Sequence, residues 1–298
     1  MKDVVIRYWK EGDDEGIFEL FDRTDRWVSN EAYHKKFDDR GLTPRGIVLA
    51  EMDGLIIAHL MGTRKEIMCE GEAKIFGGIG QVMVDKNYRG RGIGKAILQR
   101  IIQYHKDGNC RGILLWTQDS RIPAYPMYEK SGFRIAARRA IYNFQPGKTE
   151  SSLSVEPYAK AFEDHAERVR QEWMRACFPV GIRSMKPADA NWLVAHRNGQ
   201  SVGYIHIGER DNIPFLSHAV GRLDEAYEIC SAVFSFLAEL GHKKAVWQTC
   251  VDSVWEAELH RRGFREGHIA SDVRMCLPIG SPIDTNGKRP EFDGCSTW

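Results

Sequence analysis

The chain has 298 residues, 43% of them hydrophobic and 28% charged, a composition typical of soluble globular proteins rather than disordered or fibrous ones. Its 42 Lys and Arg residues balance 41 Asp and Glu residues, and the net charge of +1 argues against a nucleic-acid-binding protein. We find no apolar run of about 18 residues and no secretory leader, so we expect no membrane span and a cytoplasmic location.

The cysteines and histidines argue against disulfides and metal sites. Seven cysteines are scattered along the chain, an odd number without any C-x-x-C pair, which favours reduced thiols over a disulfide framework or a zinc site. The ten histidines show no spacing typical of metal ligands. We therefore expect no metal.

The first half of the chain alternates strand and helix patterns. In chain order these predict a strand, two helices, three strands, a helix, a strand, a short helix and a last strand, at residues 4–8, 11–21, 29–37, 47–51, 55–67, 74–84, 93–107, 112–117, 123–130 and 133–144. The apolar run 112–117 is typical of a strand buried inside a sheet. The order predicts an α/β fold with a mixed, α+β-like sheet.

A polar segment at residues 146–154 predicts a linker, and a second series of elements follows it. These are a helix, a strand, a hairpin, a long helix, a strand, a short helix and a final strand, at residues 157–177, 181–185, 193–207, 224–240, 245–249, 255–262 and 273–277. Residues 279–298 predict a polar C-terminal tail.

The two halves echo each other. Residues 128–133 recur as residues 259–264, and the helix, glycine and strand before them recur in the same order. Because several matches share one offset of about 130 residues, we predict a duplicated fold, with domains at 1–145 and 155–278.

Residues 82–95 form the clearest candidate binding motif in the sequence. A strand ends, a glycine-rich loop follows, and a helix begins, so free N–H groups and the positive end of a helix dipole would face an anion. The backbone can approach a bulky anion closely at the glycines Gly90, Gly92 and Gly94. Positive charge is supplied by Arg89, Arg91 and Lys95. The loop lacks the residue order of a P-loop and the spacing of a dinucleotide fingerprint. A solvated strand-to-helix turn is the alternative.

Two segments together resemble the GNAT superfamily of N-acetyltransferases. Residues 89–94 are similar to its acyl-CoA-binding signature, and residues 124–133 to its second signature. The resemblance covers residues 1–145 well and 155–278 loosely, and it implies two tandem acyl-CoA N-acyltransferase-like domains. The second copy is expected to be degenerate, because Leu259 replaces Tyr128 and no Gly-x-Gly loop precedes its long helix.

The resemblance also implies roles for individual residues. Tyr128 would protonate the departing CoA thiolate as a general acid, and a core tyrosine that caps a helix is the alternative. The implied acyl-CoA-binding residues are Val82, Met83, Val84, Arg89, Gly90, Arg91, Gly92, Ile93, Gly94 and Lys95. Gln81 and Asp119 are candidate substrate contacts, although a turn cap is the alternative for Asp119. Residues 74–84 contain no carboxylate, so the general base stays unassigned.

The resemblance implies transfer of an acetyl group from acetyl-CoA to a primary amine of a small molecule, by direct attack in a ternary complex and without a metal. The alternatives are a non-catalytic acyl-CoA-binding or sensor protein, transfer of a longer acyl group, and acyl-CoA decarboxylation. We expect no nucleic-acid or membrane partner. The sequence sets neither the identity of the amine nor the oligomeric state.

Overall fold

The computed structural model describes residues 4–24, 42–69, 72–121, 123–178, 180–181, 187, 189–264, 268–280, 283 and 289–290. The helices of this part of the chain are α1 (Asp14–Arg23), α2 (Ile93–Asp107), α3 (Ala124–Lys130), α4 (Glu163–Ala176), α5 (Ala226–Glu239) and α6 (Val254–Arg261). Its strands are β1 (Val5–Tyr8), β2 (Ile47–Met52), β3 (Leu55–Cys69), β4 (Glu72–Val84), β5 (Gly112–Gln118), β6 (Arg134–Phe144), β7 (Ser154–Pro157), β8 (Cys177–Phe178), β9 (Val180–Gly181), β10 (Trp192–Arg197), β11 (Gln200–Arg210), β12 (Ile213–Gly221), β13 (Ala245–Cys250), β14 (His268–Pro278) and β15 (Arg289–Pro290).

A mixed sheet of 13 strands runs through the described molecule in the order β1-β2-β3-β4-β5-β14-β6-β13-β12-β11-β10-β7, with β9 paired to β3. From the β1 end, three antiparallel pairs lead to the parallel pair β4–β5. From the β7 end, three antiparallel pairs lead to the parallel pair β12–β13. The predicted mixed α/β fold is confirmed, and both ends of the sheet follow the same pairing scheme.

The two halves of the chain exchange strands at the centre of the sheet. Strand β14, from the second half, lies between β5 and β6 and pairs antiparallel with both. Strand β6, from the first half, pairs on its other side with β13. A continuous hydrogen-bonded sheet therefore joins the halves, and the predicted boundary at residue 145 follows a strand that belongs to both.

Helices cover both faces of the first half of the sheet. Helix α2 buries the isoleucine stripe predicted from the sequence on one face, together with Tyr128 of α3. Helix α1 buries Ile17, Leu20 and Phe21 on the opposite face, with Met83 of β4 in the same cluster. The two helical layers therefore lie on opposite faces of the sheet around β4.

Most predicted elements are found close to their expected positions, but the strands β7, β8, β12 and β15 were not predicted. Strand β12 lies where the sequence predicted no strand, because Pro214 and the polar pair Ser217-His218 obscure its alternation. His218 has φ of 52°, which marks an irregularity in the strand. The predicted helix at 29–37 lies outside the described residues, as does most of the predicted strand at 181–185.

The predicted linker packs against the second half instead of standing apart from it. The Thr149 hydroxyl donates to the Ser231 carbonyl at 2.7 Å, and the Ser152 N–H donates to the Glu228 carboxylate at 2.9 Å. Both acceptors lie on α5. Of the predicted tail, Arg289–Pro290 pairs with β8.

Candidate functional site

The functional cavity begins where β4 and β5 separate. Their parallel pairing runs from Phe76 opposite Gly112 to Ile79 opposite Leu115, and β4 then continues to Val84. A bulge marks the separation: Gln81 has φ of 51°, and the register with β3 shifts at this point. The His59 ring nitrogen Nδ1 lies 2.9 Å from the Gln81 carbonyl oxygen and holds the bulge from the neighbouring strand.

A cavity of about 780 Å³ occupies the gap between the two strands. Its wall includes Ile93 and Tyr128 from the α2 face of the sheet and Met83 and Thr24 from the α1 face. The cavity therefore reaches both faces of the sheet. Its lining residues are Thr24, Ile79, Gly80, Gln81, Val82, Met83, Val84, Tyr88, Arg89, Gly90, Gly92, Ile93, Gly94, Lys95, Trp116, Thr117, Arg121, Pro123, Ala124, Met127, Tyr128 and Arg139.

The glycine loop leads from β4 into the first turn of α2 at one end of this cavity. Gly90 and Gly92 have φ of 77° and 80°, the left-handed region that glycine adopts without strain. Asp85 anchors the start of the loop by accepting from the Asn87 N–H at 3.0 Å and from Arg23 at 2.9 Å. The N-terminus of α2 is thereby held against the cavity, where its dipole favours an anion.

The basic side chains of residues 89–95 are exposed, but only some of them line the cavity. Arg89 and Lys95 line the cavity, and the Arg89 Nε–H donates to the Val84 carbonyl at 3.0 Å. Arg91 lies outside the cavity wall, with its guanidinium 5.2 Å from the centre of the Tyr88 ring. Two of the three predicted cations therefore face the cavity directly.

Helix α3 brings Tyr128 to the middle of the cavity wall. The helix begins at Ala124, directly after Pro123, and Pro126 occupies its first turn, where the missing N–H leaves no intrahelical hydrogen bond unmade. The helix ends at Lys130, and Gly132, two residues beyond it, has φ of 95°. Both prolines are thus compatible with this helix start.

The Tyr128 phenol is buried and stays protonated. Its side chain is 5% exposed and packs edge-on against Phe133, with 5.9 Å between ring centres. Burial raises the pKa of Tyr128 to about 12, although the charge of Arg121 acts in the opposite direction. At neutral pH the group is therefore a hydrogen-bond donor that faces the cavity.

The wall near the bulge contains polar side chains whose buried atoms lack partners. In the described part of the chain, no hydrogen bond is made by Gln81 Oε1, Trp116 Nε1 or Arg139 Nε. All three residues line the cavity. Sequence reasoning identified neither Arg139 nor Trp116 as a site residue, because they lie on β6 and β5, which only the fold brings to β4.

The structure places most of the predicted site residues together. Gln81, Tyr128 and the acyl-CoA-binding candidates other than Arg91 line the cavity. Asp119 lies outside its wall and pairs with Arg138 at 2.5 Å. Among the described residues, no group of three or more His, Cys, Asp or Glu side chains could hold a metal ion. No helix of the described chain is long and apolar enough to cross a membrane.

Residues 15–133 match the model of the Acetyltransferase (GNAT) family, which confirms the predicted GNAT domain for this segment. The chain is 34% identical over 73 residues to "N-acetylaspartate synthetase" of Danio rerio, a match of 24% of this chain and 26% of that protein. It is 38% identical over 63 residues to "Glucosamine 6-phosphate N-acetyltransferase" of Trypanosoma brucei brucei, a match of 21% and 41% of the two chains. The matches thus span well under half of either relative.

The whole fold resembles a solved structure of low sequence identity. The "GCN5-related N-acetyltransferase from Anabaena variabilis ATCC 29413" superposes with a TM-score of 0.68 at 14% identity, over 92% of this chain and 72% of that one. This likeness shows a shared fold. It extends through the second half of the chain, beyond the segment that the family model matches.

Proposed function

We propose that the GNAT domain at residues 15–133 makes this chain an N-acetyltransferase, which transfers an acetyl group from acetyl-CoA to a primary amine of a small molecule. One observation carries the proposal. A single cavity joins the glycine loop at the start of α2 to the buried, protonated Tyr128 across the gap between β4 and β5. An anion-binding helix terminus and a proton donor thus face one space that opens to both faces of the sheet.

We place acetyl-CoA in this cavity in one orientation, with the pyrophosphate at the glycine loop and the thioester at Tyr128. Its pyrophosphate would lie on the backbone of residues 89–95, with Arg89 and Lys95 beside it. The pantetheine arm would follow residues 82–84, where β4 no longer pairs with β5. This path brings the thioester to Tyr128, because α3 lies across the same gap.

The proposed reaction proceeds by direct attack. The neutral amine nitrogen forms a bond to the thioester carbon, and the C–S bond breaks. Tyr128 donates its proton to the departing sulfur, and the amine loses a proton to water. Because its raised pKa keeps the phenol protonated, Tyr128 is suited to donate this proton and then to recover one from solvent.

We infer that residues 155–278 are a degenerate copy of the same fold. The repeated strand pairing supports this, as does the bulge in β12, where His218 has φ of 52° and the register with β11 shifts as it does at Gln81. A short turn at Leu223–Glu225 leads directly into α5. The two left-handed glycines that precede α2 have no counterpart there.

A tryptophan closes the corresponding gap in the second half. When the Gly-Phe ends of α3 and α6 are aligned, Trp255 stands where Ala124 stands in the first half. Its indole N–H donates to the Ala219 carbonyl at 3.1 Å, and its ring stacks on Trp247 with 6.1 Å between centres. Trp255 is 1% exposed. We therefore propose one acyl-CoA site per chain.

A non-catalytic acyl-CoA-binding role is the second candidate. Among the described residues, the cavity wall contains no Asp or Glu, so a carboxylate general base is not evident. This observation favours binding without turnover. Ordered water can take the proton of an amine, however, which makes the absence of a carboxylate compatible with catalysis.

Thiol release separates the two candidates. We expect the full chain to release CoA thiol from acetyl-CoA when a suitable primary amine is present, and the product mass to increase by one acetyl group. Binding of acetyl-CoA without thiol release across amino acids, amino sugars, polyamines and peptide N-termini would favour the sensor instead. Competition by longer acyl-CoAs would show whether the acyl group is larger than acetyl.

A further inference from the structure

We propose that the acceptor amine also carries an anionic group, a carboxylate or a phosphate, and that Arg139 binds this group with help from the Trp116 indole N–H. The inference rests on the proposed acetyl transfer and names the substrate class of that site. It follows from the charge of the cavity wall and from the polar atoms without partners on the wall residues outside the glycine loop.

The first step is the charge of the wall. Its described charged residues are the cations Arg89, Lys95, Arg121 and Arg139, without a carboxylate. Arg89 and Lys95 lie beside the glycine loop, where the pyrophosphate is placed. Arg121 and Arg139 lie on the other elements of the wall, and the charge of Arg121 reaches the Tyr128 phenol. The acceptor therefore enters a positively charged space.

The second step is the surroundings of Arg139. Its side chain is 18% exposed, and NH1 makes one contact of 3.2 Å with the Asp272 carboxylate. Its Nε is buried and makes no hydrogen bond in the described part of the chain. Such a guanidinium retains the capacity to bind a second anion, and its planar donors match a carboxylate or phosphate.

The third step is the neighbouring indole. Trp116 lies beside two guanidiniums, with Arg139 at 5.2 Å and Arg274 at 4.6 Å from its ring centre. Arg274 is 1% exposed. The Trp116 Nε1 is buried and makes no hydrogen bond within the described residues, so it offers a second donor in a positive environment.

The fourth step is the position of the reactive nitrogen. Gln81 Oε1 is a buried acceptor without a partner in the described chain, and it belongs to the bulge beside the proposed thioester position. An amine N–H would satisfy it. An anionic amine thus complements both ends of this wall. A purely cationic amine would face Arg121 and Arg139 in a wall whose described lining residues include no carboxylate, since Asp272, the partner of Arg139, lies outside it.

Matched acceptor pairs test the inference. The full chain is assayed with acetyl-CoA and with α-amino acids against their carboxamides, and with hexosamine 6-phosphates against hexosamines. We expect kcat/KM for the preferred anionic amine to exceed that of its neutral partner by on the order of 10- to 100-fold, the range of a hydrogen bond to a charged group. The pair that shows the difference identifies the anion as carboxylate or phosphate.

Substitution of the arginine tests the assignment. Arg139→Gln should remove most of this discrimination, mainly by raising KM for the anionic amine, with the KM for acetyl-CoA unchanged. Arg139→Lys should restore part of it. Arg138→Gln is the matched control, because Arg138 is adjacent, pairs with Asp119 and lies outside the cavity wall; it should keep the discrimination of the unmodified protein.

Two results would overturn the inference alone. One is acetylation of neutral and anionic partners at similar kcat/KM, and the other is a loss in Arg139→Gln that is equal for both partners, which indicates a structural role. If acetyl-CoA binds and no amine of either kind is acetylated, the proposed function fails, and the inference fails with it.

Discussion

Tyr128→Phe is expected to lower kcat by on the order of 100-fold or more, the usual contribution of a positioned general acid. The substitution removes only the phenolic hydroxyl from a ring that packs against Phe133. The affinity for acetyl-CoA should therefore change little, since the loop and strand that would hold it are untouched. Steady-state thiol release and calorimetric titration with acetyl-CoA separate the two quantities.

Tyr125→Phe is the matched control for this substitution. Tyr125 lies on the same helix, donates to Glu129 at 3.0 Å and is outside the cavity wall, so its loss should leave kcat near that of the unmodified protein. Equal rates for Tyr128→Phe and the unmodified protein would remove Tyr128 from the mechanism.

The pH dependence of kcat gives an independent check on Tyr128. Burial raises the pKa of its phenol to about 12, so the acid is protonated throughout the range in which the amine becomes neutral. We expect kcat not to fall between about pH 7 and 10, because neither catalytic requirement is lost there. A decline with an apparent pKa near 8 or 9 would point to a different proton donor.

Ala124→Trp is expected to abolish acetyl-CoA binding, with a loss in affinity on the order of 100-fold or more. The substitution introduces into the first half the residue that fills the gap of the second half, where Trp255 is buried against Trp247. An indole at position 124 would occupy cavity space beside Met127 and Tyr128. Calorimetric titration with acetyl-CoA measures the loss, and far-ultraviolet circular dichroism verifies the fold.

Two further variants serve as controls for Ala124→Trp. Ala124→Ser changes the volume little and should bind acetyl-CoA normally. Trp255→Ala should leave the affinity and the 1:1 stoichiometry unchanged but lower the free energy of unfolding by about 3–5 kcal/mol, as expected when a buried tryptophan is removed. Normal binding by Ala124→Trp would place acetyl-CoA outside this cavity, and a second bound equivalent would contradict a single site.

The parts of the site that the sequence predicted are those encoded locally. The glycine loop and Tyr128 lie in contiguous segments whose residue order shows a strand end, a helix start and a buried aromatic ring. The hairpin turn at Asp53-Gly54 is equally local, and both residues have positive φ, as a tight turn requires.

The parts that were missed depend on pairing between distant strands. Arg139 lines the cavity from β6, which β14 separates from β5 in the sheet, and nothing near residue 139 in the sequence indicates this position. The two halves have the same order of elements, so the sequence does not determine that β6 pairs with β13 of the second half and β14 with β5 of the first. Asp119 is a predicted substrate contact at the end of a strand, yet β6, which is separated from β5 by β14, supplies Arg138 to pair with it.

A single-turnover experiment tests the central claim, direct transfer from acetyl-CoA to an amine at one site. Excess protein is mixed with isotopically labelled acetyl-CoA, with and without the preferred amine, and the label is followed by mass spectrometry. The account predicts that the label stays on CoA until the amine is added, then appears on the amine in step with released thiol. Labelled protein that forms before the amine is added, or thiol release without an amine, would contradict it.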